Sequence, residues 1–230
     1  ARAALLAAVA REQSALPLRA LLLREAAAVH VDVLAAPDAA IELYFELLQL
    51  AGSDRELALG AARDLDPLLA AAGRPGEHCD VLERRAALET DPEARRLALG
   101  NAARIAADVL GDLDRAARDL RLRLDDDPTD LEALDGLVEV LDRAGHYPEL
   151  IEALRGRART RTDTDLARAD LVRIARLYED TLRARLPAIQ AWGEVRSRTG
   201  RDAESFAALV PLLEAEAQWS ELAELVEVEA

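Results

Sequence analysis

Apolar residues recur every three or four positions along nearly the whole chain, the spacing of a helix with one buried stripe. Leu131, Leu134, Leu137, Val138 and Leu141 form such a stripe. It is bracketed by start and stop signals. Thr129-Asp130-Leu131-Glu132, after Pro128, reads as a capping box. Gly145 follows, where a left-handed residue ends a helix without steric penalty. Tyr147-Pro148-Glu149 then opens the next helix, with Pro in the first turn. The same events recur near the C-terminus, with Asp202 as cap and Trp219-Ser220-Glu221 as the second start. Strict apolar/polar alternation is missing, so the pattern predicts helices and no sheet.

The pattern repeats. Ala116 matches Ala188 and Tyr147 matches Trp219, each 72 positions apart. The same offset pairs Leu110 with Leu182, Glu132 with Glu204, Leu137 with Leu209 and Leu150 with Leu222. An earlier copy fits at 76, pairing Leu34 with Leu110, Ala40 with Ala116 and Glu56 with Glu132. Further along it the offset shrinks: Gly73 pairs with Gly145 at 72 and, after Arg74-Pro75-Gly76, Val81 with Leu150 at 69. Each copy divides into two helical hairpins of about 35 residues. The expected hairpins are 17–52, 53–91, 92–128, 129–163, 164–200 and 201–230, with 1–16 a helix of a preceding repeat. The whole of 1–230 is expected to be a single solenoid.

Composition agrees with long helices. Half of the 230 residues are hydrophobic, mostly Ala and Leu, and only 3% are aromatic. All 29 basic residues are Arg, and Met is absent, as in a bacterial-like genome with strong codon bias. The net charge of −15 argues against nucleic acid and against an anionic membrane surface. No run of about 18 uncharged apolar residues is present, so no transmembrane helix is expected. With no signal-peptide pattern either, a cytoplasmic location is the expectation. The chain opens Ala1-Arg2-Ala3 and ends inside a helical pattern, as expected of a piece of a longer protein.

Several segments carry a family likeness. Ala103-Arg104-x2-Ala107, Gly111, Ala116-x3-Leu120 and Pro128 resemble a tetratricopeptide unit. Leu134-x2-Leu137-Val138-x2-Leu141, Gly145 and Leu150-x3-Leu154 resemble the next. Ala188-x3-Trp192 and Ala40-x3-Tyr44 fill the same slot of a small residue followed by an aromatic. The chain thus resembles a divergent tetratricopeptide-repeat solenoid. That implies an all-α fold of tandem antiparallel hairpins stacked as a right-handed superhelix. One hairpin cannot bury its apolar face but stacked neighbours can. Trp192, Trp219, Tyr44, Tyr147, Tyr178, Phe45 and Phe206 are therefore expected as filler between helices.

Catalytic constellations are not found. His30 is placed on a helix, His78 and His146 in turns, and no two share the i, i+4 spacing of a zinc helix. No serine has a nucleophile motif around it. Cys79 is the single cysteine, so neither an intrachain disulfide nor a cysteine cluster is expected; it reads as a small buried side chain. Asp125-Asp126-Asp127-Pro128 closes one helix and opens the next, and lacks the spaced oxygens and Gly of a calcium loop. The basic island Arg155–Arg161 suits a helix C-terminus, with an acidic partner as the other reading. No enzyme activity, cofactor or metal is expected.

The resemblance further implies that the first helix of each hairpin lines a concave groove. The groove positions are then Glu132, Asp135, Glu139 and Asp142, with Asn101 and Asp108 before them and Asp170, Arg173 and Asp180 after. Glu56, Arg63 and Asp66 precede these, and Glu204 and Glu214 follow. The four acids of the helix after Thr129 share one face and should repel one another by a few tenths of a kcal/mol per i, i+4 pair. The expected function is a protein-protein interaction scaffold that binds a partner peptide or domain, basic in character, on an acidic face. The alternative is a structural spacer in a larger multidomain protein. Leu5, Leu6 and Val9 in front, and Leu222, Leu225 and Val226 behind, read as open apolar ends that would associate weakly with a second copy.

Overall fold

A computed structural model describes residues 1–229, and among them there are thirteen α-helices and no strand. The chain divides into two compact units, Ala1–Asp126 and Asp127–Ala230. The first contains α1 (Arg2–Glu12), α2 (Leu16–Asp32), α3 (Pro37–Ala51), α4 (Arg55–Ala72), α5 (Pro75–Leu88), α6 (Pro92–Ile105) and α7 (Leu113–Asp126). The second contains α8 (Leu131–Ala144), α9 (Tyr147–Thr160), α10 (Thr164–Arg176), α11 (Arg185–Thr199), α12 (Ala203–Ala215) and α13 (Trp219–Glu229). Within each unit every helix packs on the next in sequence, joined by connections of a few residues. This is an all-α array of tandem helix hairpins. None of the helices is long and apolar enough to cross a membrane.

The internal repeat is written into the backbone. The residue ending the first helix of a hairpin takes the left-handed conformation in all three copies: Ala35 (φ 49°), Gly111 (φ 69°) and Arg183 (φ 52°). One residue on, the same six-residue amide-to-carbonyl bond closes the turn: Ala36 to His30, Asp112 to Ala106 and Ala184 to Tyr178. A second set follows at Gly73 (φ 65°), Gly145 (φ 70°) and Ala217 (φ 54°). There the closing bonds run from Arg74 to Leu69, His146 to Leu141 and Gln218 to Leu213. Short π-helical segments, Ala106–Leu110 and Leu177–Thr181, extend α6 and α10 at corresponding places.

Small residues sit where neighbouring helices come closest. Ala40, Ala116 and Ala188 are fully buried, and so, nearly, are their partners one turn later, Tyr44, Leu120 and Trp192. Of the predicted stripe of α8, Leu134, Leu137, Val138 and Leu141 are buried with Leu150, Ile151 and Leu154 of α9, whereas Leu131, in the first turn, is 40% exposed. Each such side chain contributes about 1.5–3 kcal/mol by leaving water. Arginines add a second kind of tie, between helices that alternate along the array. In the first unit Arg11 reaches Glu46 at 2.6 Å, Arg24 reaches Asp64 at 3.1 Å and Arg115 reaches Asp80 at 2.6 Å. In the second, Arg173 reaches Asp142 at 2.7 Å, Arg168 reaches Glu204 at 3.0 Å and Arg196 reaches Glu229 at 2.5 Å.

Three local expectations need correction. The cap of α8 is Asp130, whose Oδ1 accepts from the Ala133 amide at 3.1 Å. Thr129 lies one residue too early, and its hydroxyl donates to Asp127 at 2.7 Å. The Asp202 cap is as expected, accepting from the Ser205 amide at 2.9 Å. His78 is not in a turn: α5 starts at Pro75, and the imidazole faces Asp66 of α4 at 2.7 Å. Trp219 is not filler. It is 62% exposed, because among the described residues α13 packs mainly on α12 and no further helix covers it.

Candidate functional site

The residues predicted to bind a partner fall in both units. Asn101 on α6 and Asp108 in the following π-helical segment are exposed and belong to the first. The other seven belong to the second unit, on α8 and on α10 with its π-helical extension. Glu132, Asp135, Glu139 and Asp142 are all on the exposed side of α8, opposite its buried stripe. Arg173 is half-buried and Asp180 exposed. Asp170 is only 3% exposed, so it supports the face from below instead of meeting a ligand.

The face these residues make is one of paired charge. Arg157 of α9 donates to Asp135 at 2.9 Å and to Asp170 at 2.5 Å. Arg161, just past the end of α9, reaches Asp135 at 3.1 Å and Asp170 at 3.3 Å. The basic island of the sequence thus has an acidic partner, and that partner is intramolecular. Arg173 holds Asp142 at 2.7 Å. Arg143 lies 3.7 Å from Glu139, one turn along α8. On the other side, Arg168 and Arg176 of α10 close on Glu204 of α12 at 3.0 and 2.8 Å. These guanidiniums hold the Glu204 carboxyl below its ordinary range, and their own pKa values rise by the same contacts. The repulsion expected among the α8 acids is therefore offset by arginine neighbours.

Between these pairs lies a shallow depression of about 420 Å³ along α10. Val172 and Leu177 give it an apolar floor, and Arg168, Arg173, Arg176 and Asp180 edge it. The Arg176 guanidinium also sits 5.7 Å from the Trp192 ring, close enough for a cation–π contact. Trp192 Nε1 donates to Glu179 at 3.0 Å, fixing the ring from its other end. Arg157, Arg161, Arg168 and Arg176 escape a reading of one helix at a time. Their carboxylate partners lie 9 to 36 residues away, and only the stacking of helices brings them together.

No family model matches this chain, and no curated protein matches it. Solved structures similar to it include a tetratricopeptide repeat protein from Parabacteroides merdae ATCC 43184, at 15% identity and a TM-score of 0.44, over 90% of this chain and 77% of that one. BtubC from P. vanneervenii is similar at 12% identity and a TM-score of 0.38, over 84% of this chain and 86% of that one. The MamA protein is similar at 15% identity and a TM-score of 0.39, over 87% and 94%.

Proposed function

We propose that this protein is a protein-interaction scaffold whose second unit takes an extended partner segment along the exposed faces of α8, α10 and α12. The observation that carries this reading is the depression on α10, an apolar floor of Val172 and Leu177 framed by fixed charges of both signs. An apolar patch with oriented polar groups around it is the usual composition of a recognition surface. The segment would place an apolar side chain over Val172. Its basic residues would meet the exposed acids of α8, Glu132 and Glu139 among them. Asp135 and Asp142 already hold guanidiniums, so a basic ligand there exchanges one such pair for another and gains little.

The test is cross-linking capture from the source cell lysate with the chain and with two variants, Val172→Arg and Glu132→Gln/Glu139→Gln. Both positions lie outside the buried stripe, so the helix signal in circular dichroism should be unchanged. Val172→Arg should abolish capture of the specific partner. The double Gln variant should weaken it and flatten its salt dependence. A partner captured equally by all three proteins would sink this placement. No specific partner in any arm would favour the spacer reading.

A further inference from the structure

In the first unit, α5 and α7 bury three chemically reactive side chains against one another. Cys79 and Glu83 stand one turn apart on the same side of α5, and Asp119 approaches from α7. The Cys79 Sγ and one carboxylate oxygen from each acid lie within 4.8 Å of one another. Cys79 is fully buried, Asp119 is 1% exposed, and Glu83 is partly exposed.

Asp119 does not resemble the other acids of this chain. Its Oδ2 is buried with no hydrogen-bond partner, whereas buried Glu89 has Arg63 and buried Asp170 has Arg157. An unsatisfied buried oxygen costs about 1–3 kcal/mol. The nearby guanidinium is already used: Arg115 donates to both oxygens of Glu83, at 2.5 and 2.8 Å, and to Asp80 at 2.6 Å. Cys79 has only a weak contact, its thiol donating to the Ala102 carbonyl at 3.5 Å. Burial pushes the thiol up to about 12. Burial, with the Glu83 charge, pushes the Asp119 carboxyl up to about 7. With the Arg115 guanidinium taken up by Glu83 and Asp80, the buried Asp119 oxygen is left without a donor.

We propose that Cys79, Glu83 and Asp119 bind one thiophilic divalent cation of the Zn²⁺ class, tying α5 to α7. One sulfur and two carboxylate oxygens make three protein ligands, with water completing a tetrahedron. The sulfur disfavours Mg²⁺ and Ca²⁺, which take oxygen ligands. A thiolate and two carboxylates carry three negative charges, of which a dication offsets two. Glu83 can serve both the cation and Arg115, because a carboxylate has about four lone-pair sites. Tetrahedral bonds of about 2.0–2.3 Å put ligand atoms roughly 3.3–3.8 Å apart, so the side chains close by at most about 1.5 Å from separations within 4.8 Å. On binding, the thiol proton is released to solvent and the sulfur becomes the thiolate ligand.

Cobalt is the probe, added to the reduced 230-residue chain. Thiolate–Co²⁺ coordination gives an intense near-ultraviolet charge-transfer band. Cys79 is the single cysteine, so such a band reports this site alone. We expect a band that saturates at one equivalent and disappears when Zn²⁺ is added. Cys79→Ser should lose it. Asp119→Asn should weaken Co²⁺ at least tenfold with unchanged helix content. Glu83→Gln, at a partly exposed position, should weaken it too and serves if Asp119→Asn misfolds. No saturating band in the unmodified protein overturns the proposal, as does heat of binding without a band, which is metal on surface acids only. An Asp119→Asn variant with unchanged affinity also overturns it.

Discussion

The recurring left-handed turns offer a direct measure of how much strain this repeat tolerates. Ala217 ends α12 with φ at 54°, where Gly145 and Gly73 stand in the corresponding turns. A residue with a Cβ in that conformation costs about 1–2 kcal/mol. Glycine avoids this cost but gives up about 0.5–1 kcal/mol through the extra freedom of its unfolded chain. Ala217→Gly should therefore stabilise by roughly 0.5–1 kcal/mol. The reverse change, Gly145→Ala, should destabilise by the same amount. A Cβ built at Gly145 meets no atom within 4 Å, so its cost is conformational and contains no steric clash. Arg183→Gly tests the first-helix turn, where φ is 52° and the Arg183 side chain makes no hydrogen bond or ion pair among the described residues. Urea unfolding followed by far-ultraviolet circular dichroism gives each free-energy difference from the midpoint at constant slope. Gly145→Ala without effect, or Ala217→Gly destabilising, would refute the argument, because the turn would then be set by packing and relax freely around a Cβ.

Other predictions follow from the charges. Arg157 and Arg161 both serve Asp170, whose carboxylate is nearly inaccessible. Replacing both arginines by Met should cost about 3–5 kcal/mol, since it strands a buried charge, while adding Asp170→Asn to that variant should recover part of it; the same unfolding titration reads both. In the first unit, hydrogen bonds from Arg63 hold the Glu89 carboxyl below its ordinary range. A group whose folded pKa is depressed contributes stability at pH above its unfolded value of about 4.3 and loses it as pH falls through the folded value. Arg63→Ala should then lower stability at pH 7 and make the decline below pH 5 shallower, as measured by thermal midpoints across that range. On α8, Asp135→Asn/Asp142→Asn should lower stability by up to about 1 kcal/mol in the same titration, because it removes interhelical ion pairs to Arg157, Arg161 and Arg173.

What was legible in the sequence follows a physical line. Apolar spacing and helix caps are local, and they marked α8, α9 and the Asp202 cap within a residue or so. The repeat was legible because equivalent turns need equivalent chemistry, as at Gly73 and Gly145. It was illegible where the chain breaks its own rule. Ala217, Ala35 and Arg183 do not favour a left-handed backbone, yet the same turn-closing hydrogen bonds form there as at the glycines. A propensity argument alone would have ended or shifted those turns.

The charged face shows the same division more sharply. Sequence spacing placed four acids on one side of α8, and the structure has them there. It could not say that Arg157 and Arg161, at the far end of the next helix, would swing back onto Asp135 and Asp170. A helical period relates positions three or four apart, whereas these pairs are separated by 9 to 26 residues. Counting acids along one helix thus overstates the field that a partner would meet. With no lysine in the chain, every cation is a planar guanidinium able to hold two carboxylates in one geometry. Arg157 between Asp135 and Asp170, and Glu204 between Arg168 and Arg176, are the result: acids shared among helices, not a bare anionic stripe. If the face binds a partner as proposed, recognition depends less on net charge than on which pairs a ligand can open. On the reading proposed above, the apolar floor at Val172 is where it begins at least cost, because no ion pair has to open there.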